Sequence, residues 1–125
     1  MPQFVILHHQ TPSDDGRGPH WDFMLEAGEV LRTWALAEPP DRGAVASITA
    51  EQLPDHRTAY LTYEGEVSGD RGEVAQYDAG TYRTIREDED ANVLEFQLNG
   101  QRCTGRVRLA RDEVTQRWRF SFSPD

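Results

Sequence analysis

Two side chains able to hold a metal ion, His20 and Asp22, lie two positions apart within residues 19–26, PHWDFMLE. In an extended strand, residues i and i+2 leave from the same face roughly 6.5–7 Å apart, so this imidazole and carboxylate would project together. Met24 follows them on that face. Trp21, Phe23 and Leu25 alternate to the other face, which reads as the core side. A metal site needs a third ligand, and the other histidines are His8, His9 and His56. His8 and His9 end the preceding apolar run, and residues 10–19 can return the chain beside them. Two imidazoles and one carboxylate suit borderline cations such as Mn²⁺, Zn²⁺ or Fe²⁺. The same spacing also fits a hydrogen-bonded surface pair, with His8 and His9 incidental to it.

The elements that would position these groups are short strands. QFVILH (3–8) reads as a buried strand and TPSDDGRGP (11–19) as a loop. HWDFMLEAGEVLRTWAL (20–36) reads as a β-hairpin about Ala27-Gly28. With those two residues as the turn, Trp21 falls opposite Trp34, Asp22 opposite Thr33 and His20 opposite Ala35, which leaves small neighbours beside the candidate ligands. Residues 37–43 form a loop and 44–49 a short strand, while 50–57, with Pro54, reads as a turn or one helical turn. TAYLTYEGEV (58–67) alternates as a strand, SGDRG (68–72) turns, and 73–85 gives a strand ending in a DAGTY turn. The acidic stretch 86–92 reads as a solvated connector. Residues 93–112 form a second hairpin about Asn99-Gly100, and RWRFSFS (117–123) closes the domain on Trp118, Phe120 and Phe122. About eight short strands, with turn signals every ~8–12 residues and no long helical period, describe a mainly β single domain over 1–125, a barrel or sandwich with little helix.

The totals agree with a small domain. The chain has 125 residues, enough for one core. Apolar residues make up 37% and mean hydropathy is −0.73, so much of the chain is solvated loop and strand face. No run approaches the ~18 apolar residues of a membrane span. MPQFVILHHQ has neither a basic segment nor a small-residue cleavage site, so no secretory signal is expected. Cys103 is the single cysteine and forms no internal disulfide; it reads as a small apolar filler in a cytoplasmic protein. The formal charge is −9, and all 13 basic residues are arginine. Proteins that coat duplex DNA use a cationic surface, which this balance argues against. A single phosphate gripped by arginine, or a bound cation, fits it.

Taken in order, these blocks resemble the 3′-phosphoesterase domain of bacterial DNA ligase D. FVILHH…HWDFMLEAGEVLRTWAL resembles its opening F-V-V-x-K-H-x5-H-Y-D-F-R-L-E-x-x-G-V-L-x-S-W-A-V-P. DHRTAYLTYEGEV resembles D-H-P-x-x-Y-x-x-F-E-G-x-I, YDAGTY resembles W-D-x-G-T-Y, and LNGQRCTGRVRLAR resembles L-x-G-x-R-L-x-G-x-W-x-L-V-R. The likeness runs over about residues 4–120, and its His-x-Asp-Phe and Asp-His-x3-Tyr blocks are the specific ones. It implies a small β-barrel that removes a 3′-terminal ribonucleoside and then the remaining 3′-phosphate from DNA primer ends. The implied cofactor is a divalent metal, Mn²⁺ by preference, with Zn²⁺ compatible. The implied metal ligands are His9, His20 and Asp22, and the implied catalytic groups are His56 and Tyr60. In an extended segment His56, Thr58 and Tyr60 share one face and could meet one phosphate.

The departures from that pattern are specific. Met24 stands where the family has arginine, and Glu38 where it has lysine. The segment between His9 and His20 is longer and contains Arg17; VSGDRG replaces a longer glycine block and contains Arg71. Arg17 and Arg71 are therefore candidates for a substrate phosphate. The chain reads as a stand-alone, divergent relative that takes nucleic-acid 3′ ends or a smaller phosphate ester. A DNA repair ligase or polymerase is its expected partner, with no membrane involved. In the hydrolytic reading the cation polarises the phosphate and acidifies a water, His56 protonates the leaving oxygen or stabilises the transition state, and Tyr60 donates to a phosphate oxygen. Two other functions fit parts of the pattern. One is a non-catalytic metal- or partner-binding relative that has lost turnover. The other is a mononuclear iron oxygenase, whose two-histidine, one-carboxylate string is met by His20, Asp22 and His56.

Overall fold

Along Gln3–Gln10, alternate side chains enter two different apolar environments, and that strand sets the plan of the molecule. Phe4 and Ile6 join one buried cluster, Val5 and Leu7 another. The computed structural model describes residues 1–11, 18–41, 47–67 and 71–125. Its strands are β1 Gln3–Gln10, β2 His20–Ala27, β3 Val30–Leu36, β4 Ile48–Arg57, β5 Gly65–Glu66, β6 Glu73–Glu87, β7 Val93–Gly100, β8 Thr104–Arg111 and β9 Trp118–Pro124. Strands account for 66% of the described residues. The helical element among the described residues is one 3₁₀ turn, Thr58–Leu61, and no helix there is long and apolar enough to cross a membrane.

Eight strands close an antiparallel barrel in the order β1-β2-β3-β4-β9-β8-β7-β6, with β6 returning to β1. The two-residue β5 adds to β6 outside that closure. Alternation along each strand fills the interior with large rings: Phe23 meets Phe120 edge-on at 5.3 Å, and Trp34 meets Trp118 at 5.6 Å. Each such burial contributes on the order of 2 kcal/mol. The second cluster, with Met24, Leu31, Val67 and Val74, lies on the outer wall of β1–β3, where Tyr60 and Leu61 pack against it.

The barrel matches the expectation from sequence and five details differ; the loops expected at 11–19 and 37–43, the strand at 44–49 and the turn at 68–72 lie partly outside the described residues. The first hairpin turns at Gly28-Glu29, one residue later than expected, because Gly28 takes the positive φ (+64°) of the first central position. The register therefore slides by two residues, which preserves faces. Trp21 pairs with Leu36 and not Trp34, Phe23 pairs with Trp34, and Asp22 lies opposite Ala35 and not Thr33. Ala35 is taken by Asp22 and the β2–β3 register begins at Trp21, so the expected pairing of His20 with Ala35 is not formed.

Residues 50–57 belong to β4 and not to a turn. Pro54 is accommodated because β9 pairs only with Ile48–Ala50, so the rest of β4 has an unpaired edge where a missing N–H costs little. The segment 58–67 is not a strand throughout: it opens with the 3₁₀ turn and keeps only Gly65–Glu66 extended. DAGTY does not turn; β6 runs straight through it, pairing first with β1 and then with β7. Asn99-Gly100 stays within β7 and the chain turns at Gln101-Arg102. Gly100 is needed there because a Cβ would collide with the Asp78 carboxylate.

Candidate metal centre

β1 and β2 place His9 opposite His20, and Leu7 opposite Asp22. The two-residue period sends His9 to the outer wall with Val5 and Leu7. It sends His8 to the other face, where its ring stacks on Trp21 at 4.5 Å with planes 6° apart. Only one of the two adjacent histidines therefore reaches Asp22. On β2, His20, Asp22 and Met24 share the outer face while Phe23 and Leu25 enter the barrel core. One hairpin thus builds core on one side and site on the other.

His9 Nδ1 lies 3.4 Å from Asp22 Oδ2, and His20 Nε2 lies 3.0 Å from Asp22 Oδ1. One ligand atom from each of the three residues falls within 4.8 Å of the others. The far nitrogens face backbone carbonyls: His20 Nδ1 lies 2.9 Å from Gly18 O and His9 Nε2 2.7 Å from Arg71 O. A carbonyl only accepts, so each neutral ring carries its proton there and turns its lone pair toward Asp22. His20 and Asp22 are buried, and His9 keeps 16% of its side chain exposed, which leaves the cluster reachable from solvent. Burial pushes the Asp22 carboxyl up, but when the rings of His20 and His9 are protonated their hydrogen bonds and charge outweigh it and hold the group at about 2.

This arrangement fits a cation. Asp22 Oδ1 is buried with no hydrogen-bond partner, so the 3.0 Å approach of His20 is a contact without an aligned donor. Two lone pairs facing one carboxylate repel unless a proton or a cation lies among them. Metal bonds of roughly 2.1 Å set neighbouring donor atoms about 3.0 Å apart at right angles and about 3.4 Å apart at tetrahedral angles. The two separations, 3.0 and 3.4 Å, fall at those values, each to a different oxygen of the carboxylate.

The cluster lies in a cleft of about 460 Å³ that is also lined by His56, Tyr60 and Arg71. His56 Nδ1 sits 2.8 Å from the Pro54 carbonyl, which turns Nε2 away from that carbonyl. Its ring meets Tyr60 edge-on at 5.8 Å. In a strand, residues four apart would stand about 13 Å from each other. The 3₁₀ turn folds Tyr60 back, so the pair meets by a different route from the shared strand face expected. Arg71 contributes its carbonyl to His9. Arg17 lies outside the described residues. Glu38 is exposed and is not among the cleft's lining residues.

Among the polar residues that line the cleft, sequence reasoning missed Thr11, Asp55 and Arg57. Thr11 follows His9 by two, so the period of β1 carried one step further would have found it; its hydroxyl is buried without a hydrogen-bond partner. Arg57 sits beside His56, and nothing in its spacing marked it. Met24 is buried in the outer apolar cluster at the cleft wall. His56 lines the cleft but is not one of the close ligand set, which uses His9. The iron-oxygenase string of His20, Asp22 and His56 is therefore not the set the fold gathers.

A closed antiparallel barrel with a two-histidine, one-carboxylate cluster on its outer wall, flanked by a histidine–tyrosine pair, defines a narrow class of small β domain. The chain belongs to the family of the DNA Ligase D 3′-phosphoesterase domain, which matches residues 8–111. It is 38% identical over 114 residues to the multifunctional non-homologous end joining DNA repair protein LigD of Mycobacterium tuberculosis, covering 86% of this chain and 14% of that protein. It is 29% identical over 115 residues to the multifunctional non-homologous end joining protein LigD of Pseudomonas aeruginosa, covering 87% of this chain and 14% of that protein. The chain thus spans 14% of the length of these relatives.

Proposed function

We propose that the chain is a divalent-metal-dependent phosphoesterase that hydrolyses 3′-terminal phosphate or ribonucleotide esters of nucleic acid during DNA repair. Membership of the phosphoesterase family and relatives named for end joining support the reaction class. The observation that carries it is the convergence of His9 Nδ1 and His20 Nε2 on Asp22, each ring fixed from behind by a carbonyl.

His9, His20 and Asp22 would hold the ion, Mn²⁺ in first place and Zn²⁺ as the alternative. A bound ion supplies Lewis acidity at a phosphate oxygen and lowers the pKa of its water. His56 Nε2 is the group to protonate the leaving oxygen, and the Tyr60 hydroxyl donates to a phosphate oxygen. Arg57 and Arg71 supply positive charge along the cleft that Met24 does not. A repair ligase or polymerase would take the processed end, and the single, buried Cys103 fits a cytoplasmic setting.

Manganese-dependent release of phosphate from a 3′-phosphate primer, abolished by chelation and by His20→Ala, is the expected result. A metal titration followed by histidine NMR signals should shift His9 and His20 together. If those two do not respond together, the metal centre is wrong. Met24, apolar where the family carries arginine, favours one second reading, a metal-binding relative without turnover. Tight metal binding with no phosphate release would establish that reading instead.

A further inference from the structure

Tyr63 is 39% exposed, and among the described residues the other exposed large apolar side chains, Met1, Val30 and Val114, are all aliphatic. Its position is not arbitrary. The segment from Tyr60 to Val67 touches the cleft at both ends. From His56 the rings step outward: Tyr60 at 5.8 Å, then Tyr63 at 5.7 Å from Tyr60 with planes 89° apart. The last ring is anchored, because its hydroxyl donates to the Glu66 carbonyl. An anchored ring loses little freedom when a ligand settles on it.

We infer that Tyr63 is a stacking platform for the terminal nucleobase, so that the cleft selects nucleotides over base-free phosphate esters. The inference rests on the phosphoesterase reading and adds a substrate preference to it. Charge points the same way. A chain of net charge −9 gains little from the backbone of a nucleic acid, so affinity for an end must come from somewhere else. Stacking needs no cation and accepts any base, since every base has a π-face. A ring serving only to cover Tyr60 would treat base-bearing and abasic ends alike.

The test compares two oligonucleotides ending in a 3′-phosphate, one with a normal terminal nucleoside and one with an abasic terminal sugar. The full chain loaded with Mn²⁺ is used as wild type, Tyr63→Ala and Tyr63→Phe. The wild type should prefer the base-bearing end by about tenfold in kcat/KM, through KM. Tyr63→Ala should erase the preference, and Tyr63→Phe, which keeps the ring, should retain most of it. An unchanged preference in Tyr63→Ala, or no preference in the wild type, overturns the inference. Binding is read separately by quenching of 2-aminopurine placed at the 3′ end, with affinity expected to fall about tenfold in Tyr63→Ala. If the wild type turns over neither oligonucleotide, the phosphoesterase reading fails, and the quenching result still decides for or against stacking.

Discussion

Two buried aspartates flank β1 on adjacent rungs, Asp22 of β2 opposite Leu7 and Asp78 of β6 opposite Ile6. They are equally hidden, at 3% and 2% exposure, yet their partners differ in kind. Asp78 Oδ1 accepts the Gln101 N–H and Oδ2 the Cys103 N–H, both at 2.8 Å. Both oxygens are therefore consumed in closing the β7–β8 turn. Asp22 faces two imidazole nitrogens, and its Oδ1 has no hydrogen bond. A buried carboxylate saturated by backbone donors belongs to the fold. One faced by two imidazole nitrogens is what the proposed metal centre requires.

The largest effects should separate the two. Asp78→Ala leaves two buried N–H groups without acceptors and should cost about 3–5 kcal/mol in urea unfolding, while the molecules that remain folded keep their metal affinity. Asp22→Ala should do the reverse. Calorimetric titration should show Mn²⁺ affinity lowered by more than about a hundredfold, beyond what loss of an outer partner costs. The metal-free protein should lose no more than about 2 kcal/mol. If Asp78→Ala abolishes metal binding in folded protein, or Asp22→Ala unfolds the chain, the contrast collapses.

Sequence alone carried one of these aspartates and not the other. The His-x-Asp spacing was legible because strand periodicity is local: His9, His20 and Asp22 meet through alternation on β1 and β2. Asp78 sat in a stretch read as a turn, because its role is a contact with residues 101–103, far along the chain. The same distinction separates the other readings. Trp118, Phe120 and Phe122 follow a local period, and all three are buried. Pro54 argued against a strand only because the unpaired edge of β4 is a tertiary fact. The 3₁₀ turn at Thr58–Leu61 has no side-chain cap and buries no residue, so neither periodicity nor capping marks it in the sequence.

Acid offers a smaller but sharper contrast. The Asp22 pKa is depressed to about 2 in the folded chain, against an ordinary value of 3.8. A depressed carboxyl stabilises the fold above its unfolded pKa and loses that contribution as pH falls through the folded one. In metal-free protein, the stability gap between wild type and Asp22→Asn should therefore be present just above about pH 4, where Asp22 is ionised beside protonated rings, and close toward pH 2. Its height should be at most about 2 kcal/mol. A gap already closed at about pH 4 would mean that the rings do not hold Asp22 ionised. Metal affinity should decline on acidification for that separate reason, since protons compete for the nitrogens while Asp22 stays ionised.

The smallest effect reads Asp78 through its neighbour. Cys103 is fully buried, and burial first, then the Asp78 carboxylate, pushes its thiol up to about 12. Only the thiolate attacks a disulfide reagent, and at pH 8 that form is on the order of 10⁻⁴ of the native population. Labelling must then wait for opening of the β7–β8 turn, so its rate measures how firmly Asp78 holds Gln101 and Cys103. Asp78→Ala should speed labelling well beyond wild type. Asp22→Ala, across β1 and on the other face, should leave it within about twofold. Equal acceleration by both substitutions would mean that the two aspartates support one cooperative unit, and the division between a structural and a functional carboxylate would no longer hold.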